Sequence, residues 1–173
     1  MCALLAAAWF VYDYWHDHRF DVVITEAATK HGLSPFLVKA VVWQESRFEP
    51  DVRGKKGEIG LMQVMPSTAG EWAKVNGVAG FEPRALYDPA ANLDIGCWYL
   101  RRALDRWTNV TSRPVPFALA EYNAGRSNAL RWATGPKPFD AQKFIEAITY
   151  GSTKRYVKAI EERCRRYMQR GHL

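Results

Sequence analysis

Helix starts marked by proline recur along this chain, and they limit what it can fold into. Ser34-Pro35 and Asp88-Pro89 each set a capping residue before a proline, and Pro66-Ser67-Thr68 opens a third such segment. Proline suits the first helical position, where its missing N–H is not needed and its fixed φ is already helical. Behind each start the apolar residues return at helical spacing. Helices are expected over residues 21–30, 36–46 and 66–76, then over 89–107, 117–122 and 126–133. Two more are expected over 141–148, capped by Asp140, and up to about residue 169, capped by Ser152 or Thr153. Alternation with strand period is absent, apart from a small ribbon expected within residues 49–60, where Pro50, Gly54, Gly57 and Gly60 mark a loop. The fold class is all-α: one globular helical domain with at most a small β-ribbon.

The chain has 173 residues, enough for one domain with its own core and too few for two of ordinary size. Hydrophobic residues make up 48% and charged residues 24%, which excludes a disordered chain. The 13% of aromatics suits a large core or a groove that takes flat ligands. A net charge of +6 favours anionic partners. Much of it lies in Lys154, Arg155, Lys158, Arg163, Arg165, Arg166 and Arg170, read here as the solvated face of the last helix. No nucleic-acid-reading motif accompanies these residues, so no nucleic-acid partner is expected.

Cys2, Cys97 and Cys164 are widely spaced and form no metal-ligand pattern, so no metal is expected. Cys97 sits in an apolar helical run and is expected in the core. A Cys97–Cys164 disulfide is compatible with the sequence but nothing demands it. Residues 1–18 begin with an uncharged stretch, Cys2 to Tyr12, shorter than the about 20 residues of a spanning helix. This segment is read as a signal, an anchor remnant that could associate with a membrane, or a helix packed on the domain. The domain itself is placed at residues 19–173.

Glu45 is the first candidate for chemistry. It ends a helix rich in Leu37, Val38, Ala40, Val41 and Val42, so its carboxyl is expected to be poorly hydrated and to hold a proton near neutrality. Such a group donates a proton to a leaving oxygen and then takes one back. An isolated Glu would more simply be a surface residue paired with Arg47. Three further segments change the balance: Gly60 to Pro66 with Met62 and Gln63, Glu121 to Gly125 with Tyr122 and Asn123, and Thr153 to Val157 with Tyr156.

Taken in order, these segments resemble the soluble-type lytic transglycosylases, whose fold is related to goose-type lysozyme within the α+β lysozyme-like superfamily. The family's Glu-Ser-x-Phe-x-Pro is matched by Glu45 to Pro50, and its Gly-Leu-Met-Gln-x-Met-Pro by Gly60 to Pro66. Its Tyr-Asn-Ala-Gly is matched by Tyr122 to Gly125, and its Thr-x-x-Tyr-Val by Thr153 to Val157. The likeness runs from about Phe20 to Val157. One departure stands out: many members carry Glu immediately before that Thr, where this chain has Ser152, so a second substrate-contacting carboxylate is in doubt. Glu121 is outside the family pattern and is read as a solvated neighbour of the motif.

The resemblance implies a peptidoglycan-cleaving enzyme of the bacterial envelope, periplasmic or membrane-associated, working as a monomer on glycan strands without a cofactor. Glu45 would be the catalytic acid and then base at the bond between N-acetylmuramic acid and N-acetylglucosamine, leaving 1,6-anhydro ends. Ser46, Met62, Gln63, Tyr122, Asn123 and Tyr156 would contact substrate. Two alternatives stay open: a hydrolytic muramidase on the same fold, and a wall-binding domain without activity.

Overall fold

The fold is organised around a helix that has almost no polar side. The computed structural model describes residues 9, 14–171 and 173. In it α1 is Asp21–Lys30, α2 Pro35–Ser46, α3 Pro66–Val75, α4 Pro89–Thr108, α5 Val115–Ala124, α6 Arg126–Trp132, α7 Ala141–Ala147 and α8 Gly151–Arg170. A 3₁₀ turn at Pro83–Tyr87 precedes α4. The centre is α5: Pro116, Phe117, Ala118, Leu119 and Ala120 are all buried. A helix apolar all round must be covered all round, and α4, α6, α7 and α8 pack on it. Phe117 stacks on Phe144 of α7 with ring centroids 3.8 Å apart, and Trp107 of α4 lies 5.0 Å from the same ring.

On the other side α2 lies along α8 and against α1. Lys39 is fully buried there, and its ammonium meets Asp21 of α1 at 2.6 Å. Burial holds the Lys39 pKa below its usual value against the opposing pull of Asp21. A buried lysine of this kind ties α2 to one position on α1, since an unpaired charge in that place is costly.

The helical class and most helix bounds agree with expectation, and the differences have local causes. Asp88 and Asp140 cap as expected, accepting from Ala91 N at 2.9 Å and Lys143 N at 2.7 Å. Ser34 occupies the cap position of α2 but makes no side-chain cap bond. The last helix starts earlier than expected, after Tyr150, so Ser152 and Thr153 lie inside it. The Thr153 hydroxyl donates instead to Asn123 Oδ1 at 2.8 Å, a tertiary bond in place of a cap. Helix α5 starts at Val115, two residues before Phe117, because Pro116 is tolerated in a first turn.

The ribbon consists of isolated bridges, Arg53 to Ile59 and Ile59 to Val64. It therefore joins the 49–60 loop to the Gly60–Pro66 segment, with Ile59 N and Val64 N each donating across it at 3.0 Å. Cys97 is fully buried, as expected, and Cys97 and Cys164 are free thiols. In α8 the buried stripe is Thr153, Tyr156, Val157, Ile160 and Tyr167. The basic residues lie off this stripe, but Arg163 is not simply solvated: its guanidinium stacks 3.1 Å above the Trp43 ring, shared with Arg47.

Of the expected apolar segment, residues 1–8 and 10–13 lie outside the described residues. Residues 14–18 are helical, and His16 Nε2 lies 2.8 Å from Glu49, so contacts with the body begin before Arg19. Among the described residues no helix is long and apolar enough to cross a membrane.

Candidate active site

Helix α2 ends abruptly, and that ending presents Glu45. Arg47 and Phe48 have φ of 55° and 63°, a left-handed conformation that side chains ordinarily avoid. Such strain persists only where surroundings enforce it. Here Phe48 is fully buried, Arg47 N closes the helix on Trp43 O at 3.1 Å, and the Arg47 guanidinium lies over the Trp43 ring. Arg47 is thus engaged with Trp43 and not with Glu45. The chain turns away after Ser46 and leaves the half-buried Glu45 facing a trough of about 420 Å³.

One wall of the trough is the ribbon, through Gly54, Lys55, Lys56 and Glu58, with Gln63 and Met65 beyond it. The other is the end of α5, through Tyr122, Asn123 and Ala124. A larger hollow of about 620 Å³ lies beside α2 and α8, among Leu37, Val115, Cys164 and Met168. It holds one carboxylate, Glu161, already paired with Arg113 at 3.0 Å, and none of the motif residues. The motif residues Glu45, Gln63, Tyr122 and Asn123 all line the smaller trough.

Behind Glu45 stands Tyr156 of α8, which donates its phenol to Glu45 Oε1 at 2.6 Å. Burial pushes the Glu45 carboxyl up to about 7; the Tyr156 hydrogen bond opposes this, and the negative charge of Glu58 adds to it. Glu45 is therefore divided between its acid and its carboxylate near neutral pH, where a group that must give and retake a proton works best. Burial and the neighbouring Glu45 hold Tyr156 and Tyr122 well above the usual phenol value, so both remain donors.

The other expected site residues sort by what their side chains touch. Gln63, Tyr122 and Asn123 line the trough with Glu45. Gln63 has φ 47°, and its Nε2 donates to Val52 O at 3.1 Å and Gly60 O at 3.0 Å, which fixes the amide. Tyr122 donates to Met62 O at 2.9 Å and so clamps α5 to the Gly60–Pro66 segment. Asn123 holds the same helix end to α8 through Thr153. Ser46 and Met62 do not face the trough. Ser46 is buried, and its hydroxyl donates back to Val42 O at 3.1 Å, because the helix turn points it inward. Met62 is fully buried against Gly96 of α4, where a Cβ would stand 2.5 Å from its sulfur. Met62 serves the site through its main chain.

Glu121 corrects an expectation. It is 1% exposed, accepts from Trp107 Nε1 at 2.7 Å and pairs with Arg106. It fastens α5 to α4 and is not solvated. Glu146 is exposed and bonded to Gln142 at 2.8 Å, away from the trough lining.

Two contributors were missed. Asn92 of α4 is fully buried and accepts from Met62 N at 2.8 Å, while its Nδ2 donates to Ile59 O and Leu86 O, each at 2.8 Å. An asparagine one position from Leu93, at the start of a long apolar stripe, was the available signal. Glu58 lies in a loop without periodicity, and no sequence signal separated it from the solvated residues around it. Among the described residues no group of three or more His, Cys, Asp or Glu is placed to hold a metal ion.

A helical lysozyme-like body with an elevated acid at one trough defines the class. The sequence profile described as Transglycosylase SLT domain matches residues 22–145, and the chain belongs to that family. It is 31% identical over 150 residues to the soluble lytic murein transglycosylase of Salmonella typhimurium, covering 83% of this chain and 23% of that protein. It is 34% identical over 140 residues to the membrane-bound lytic murein transglycosylase C of Shigella sonnei, covering 78% of this chain and 38% of that protein. Among solved structures, the Slt lytic transglycosylase of Pseudomonas aeruginosa, an inactive mutant, superposes with a TM-score of 0.77 at 28% identity, covering 86% of this chain and 24% of the other. A structure of the 70-kDa soluble lytic transglycosylase in complex with bulgecin A gives a TM-score of 0.75 at 28% identity, covering 88% of this chain and 25% of the other. The chain thus spans about a quarter of the length of the soluble relatives.

Proposed function

We propose that this chain is a peptidoglycan lytic transglycosylase that cleaves the β-1,4 bond between N-acetylmuramic acid and N-acetylglucosamine and leaves 1,6-anhydro ends. The observation that carries the reading is Glu45: trough-facing, tied to Tyr156 and elevated to about 7. The names of the relatives supply the substrate class, murein.

In the first step Glu45 gives its proton to the departing glycosidic oxygen as the C1–O bond breaks. The acetamido oxygen of the same sugar bonds to C1 and holds the developing charge. Glu45, now a carboxylate steadied by the Tyr156 hydroxyl, takes the proton of the C6 hydroxyl. The C6 oxygen closes on C1, the acetamido oxygen leaves C1, and Glu45 is restored as an acid. General acid–base action of one placed group is worth about 10²–10⁴-fold, so positioning in the trough supplies the remainder. Lys55 and Lys56 at the rim favour an anionic polymer. The site operates in the bacterial cell envelope, where that polymer is.

Mass spectrometry of digested sacculi tests this reading. Anhydro ends from the wild type, absent with Glu45→Gln while helical circular dichroism is retained, support it. Reducing ends would make the chain a hydrolase. No release of muropeptides, or a Glu45→Gln variant with normal activity, would remove the mechanism.

A further inference from the structure

The trough contains a second carboxylate, and it is presented rigidly. Glu58 lies on the ribbon next to Ile59, which bridges to both Arg53 and Val64. Its own carbonyl accepts from Gly54 N at 2.7 Å, and its Oε2 accepts from Lys56 N at 2.9 Å. Gly54 leaves room for it: a Cβ there would collide with Glu58 Oε2 and stand 2.7 Å from Gln63 Oε1. The residue at 54 must therefore be glycine for these two side chains to hold their places.

Among the described residues no cation pairs with Glu58, although Lys55 and Lys56 line the same trough. An acceptor that faces a binding trough without a side-chain partner is available to a ligand donor. In the reaction proposed above, the group that gains positive character is the acetamido group as its oxygen bonds to C1. Its N–H then becomes a stronger donor, and a nearby carboxylate stabilises it more in the transition state than in the ground state.

The geometry points to Glu58 as a second catalytic carboxylate, which accepts a hydrogen bond from the substrate acetamido N–H while Glu45 moves the proton. This role rests on the transglycosylase reading and deepens it. Glu58 takes no proton: the N–H stays on nitrogen, and the proton from the C6 hydroxyl goes to Glu45. One residue serves as acid and base, and the other stabilises charge. The groups around the pair are Tyr156 from α8, Tyr122 from α5, and Lys55 and Lys56 on the ribbon.

The experiment compares wild type, Glu58→Gln and Glu58→Asp on purified sacculi, with Glu45→Gln as the inactive reference. Glu58→Gln is expected to lower kcat by roughly 10²-fold, the usual loss when one preorganised electrostatic group is removed, with KM nearly unchanged. Its residual product keeps anhydro ends, and Glu58→Asp recovers part of the rate. Because the charge of Glu58 helps to hold Glu45 protonated, the alkaline limb of kcat/KM moves to lower pH in Glu58→Gln. A merely structural Glu58 would lower the melting temperature of Glu58→Gln and leave kcat at the wild-type value below that temperature, and this result overturns the proposal. Anhydro ends from the wild type together with an undiminished Glu58→Gln overturn the role of Glu58 alone. Reducing ends or an inactive wild type overturn the transglycosylase reading and this role with it.

Discussion

The Tyr156 hydroxyl donates to Glu45 Oε1 at 2.6 Å, joining the end of α2 to the first turns of α8 across 111 residues of sequence. The bond favours the carboxylate, while burial favours the acid, and the acid is left near 7 because burial is the larger effect.

Tyr156→Phe removes the opposing influence only. A hydrogen bond to a charged group is worth about 1.5–3 kcal/mol. The variant is expected to raise the Glu45 pKa further and to move the alkaline limb of activity upward. It should lower kcat more than it raises KM, because the carboxylate formed after proton transfer loses its donor. A pH–rate profile on sacculi checks this, and an unchanged rate clears Tyr156 of any part in the reaction.

Glu45 also makes stability depend on pH. Its folded value, about 7, is above the ordinary 4.5, so between these values the folded state binds more protons than the unfolded state. Stability then falls as pH rises through this window, and the loss is complete above the folded value. Glu45→Gln has no such charge to bury. Its melting temperature should equal that of the wild type near pH 4 and exceed it at pH 8. Equal melting temperatures at both pH values would mean that the carboxyl is better solvated than its position indicates.

Glu121 has a different use for its charge. With Glu121→Leu the Trp107 N–H loses its acceptor and Arg106 its carboxylate. A buried donor left unsatisfied costs about 1–3 kcal/mol. Chemical denaturation should register that loss, and a variant as stable as the wild type would show that the α4–α5 contact does not depend on this residue.

Gly96 of α4 lies directly against Met62 of the Gly60–Pro66 segment. In Gly96→Ala the new methyl meets Met62 Sδ at 2.5 Å and Met62 Cβ at 2.8 Å. Overpacking of a core typically costs about 1–3 kcal/mol. The shift passes through Met62 O to Tyr122, so a loss of activity should accompany the loss of stability. Thermal melts and sacculus digestion measured together test the link.

What was legible in the sequence was local. The prolines at 35, 66 and 89 and the caps Asp88 and Asp140 act within a few residues, so their helices follow from the chain alone. The burial of Glu45 was also readable, because an apolar helix leads up to it. Thr153 reads as a cap when only its neighbours are considered, yet it bonds Asn123 thirty residues away. Ser46 and Met62 stand inside motifs, and motifs do not say which side of a turn faces the ligand.

By itself, then, the order of residues determined a helical domain, the helix starts marked by Pro35, Pro66, Pro89 and Asp140, and one acid at the end of an apolar helix. Those properties depend on spacing and on bonds made within a turn. Only the tertiary structure decided that Tyr156 would meet Glu45, that Glu121 would be sealed against Trp107, and that Glu58 would share the trough. Each of these depends on how helices and ribbon pack, and packing is set by the whole core at once, through contacts that no local pattern encodes.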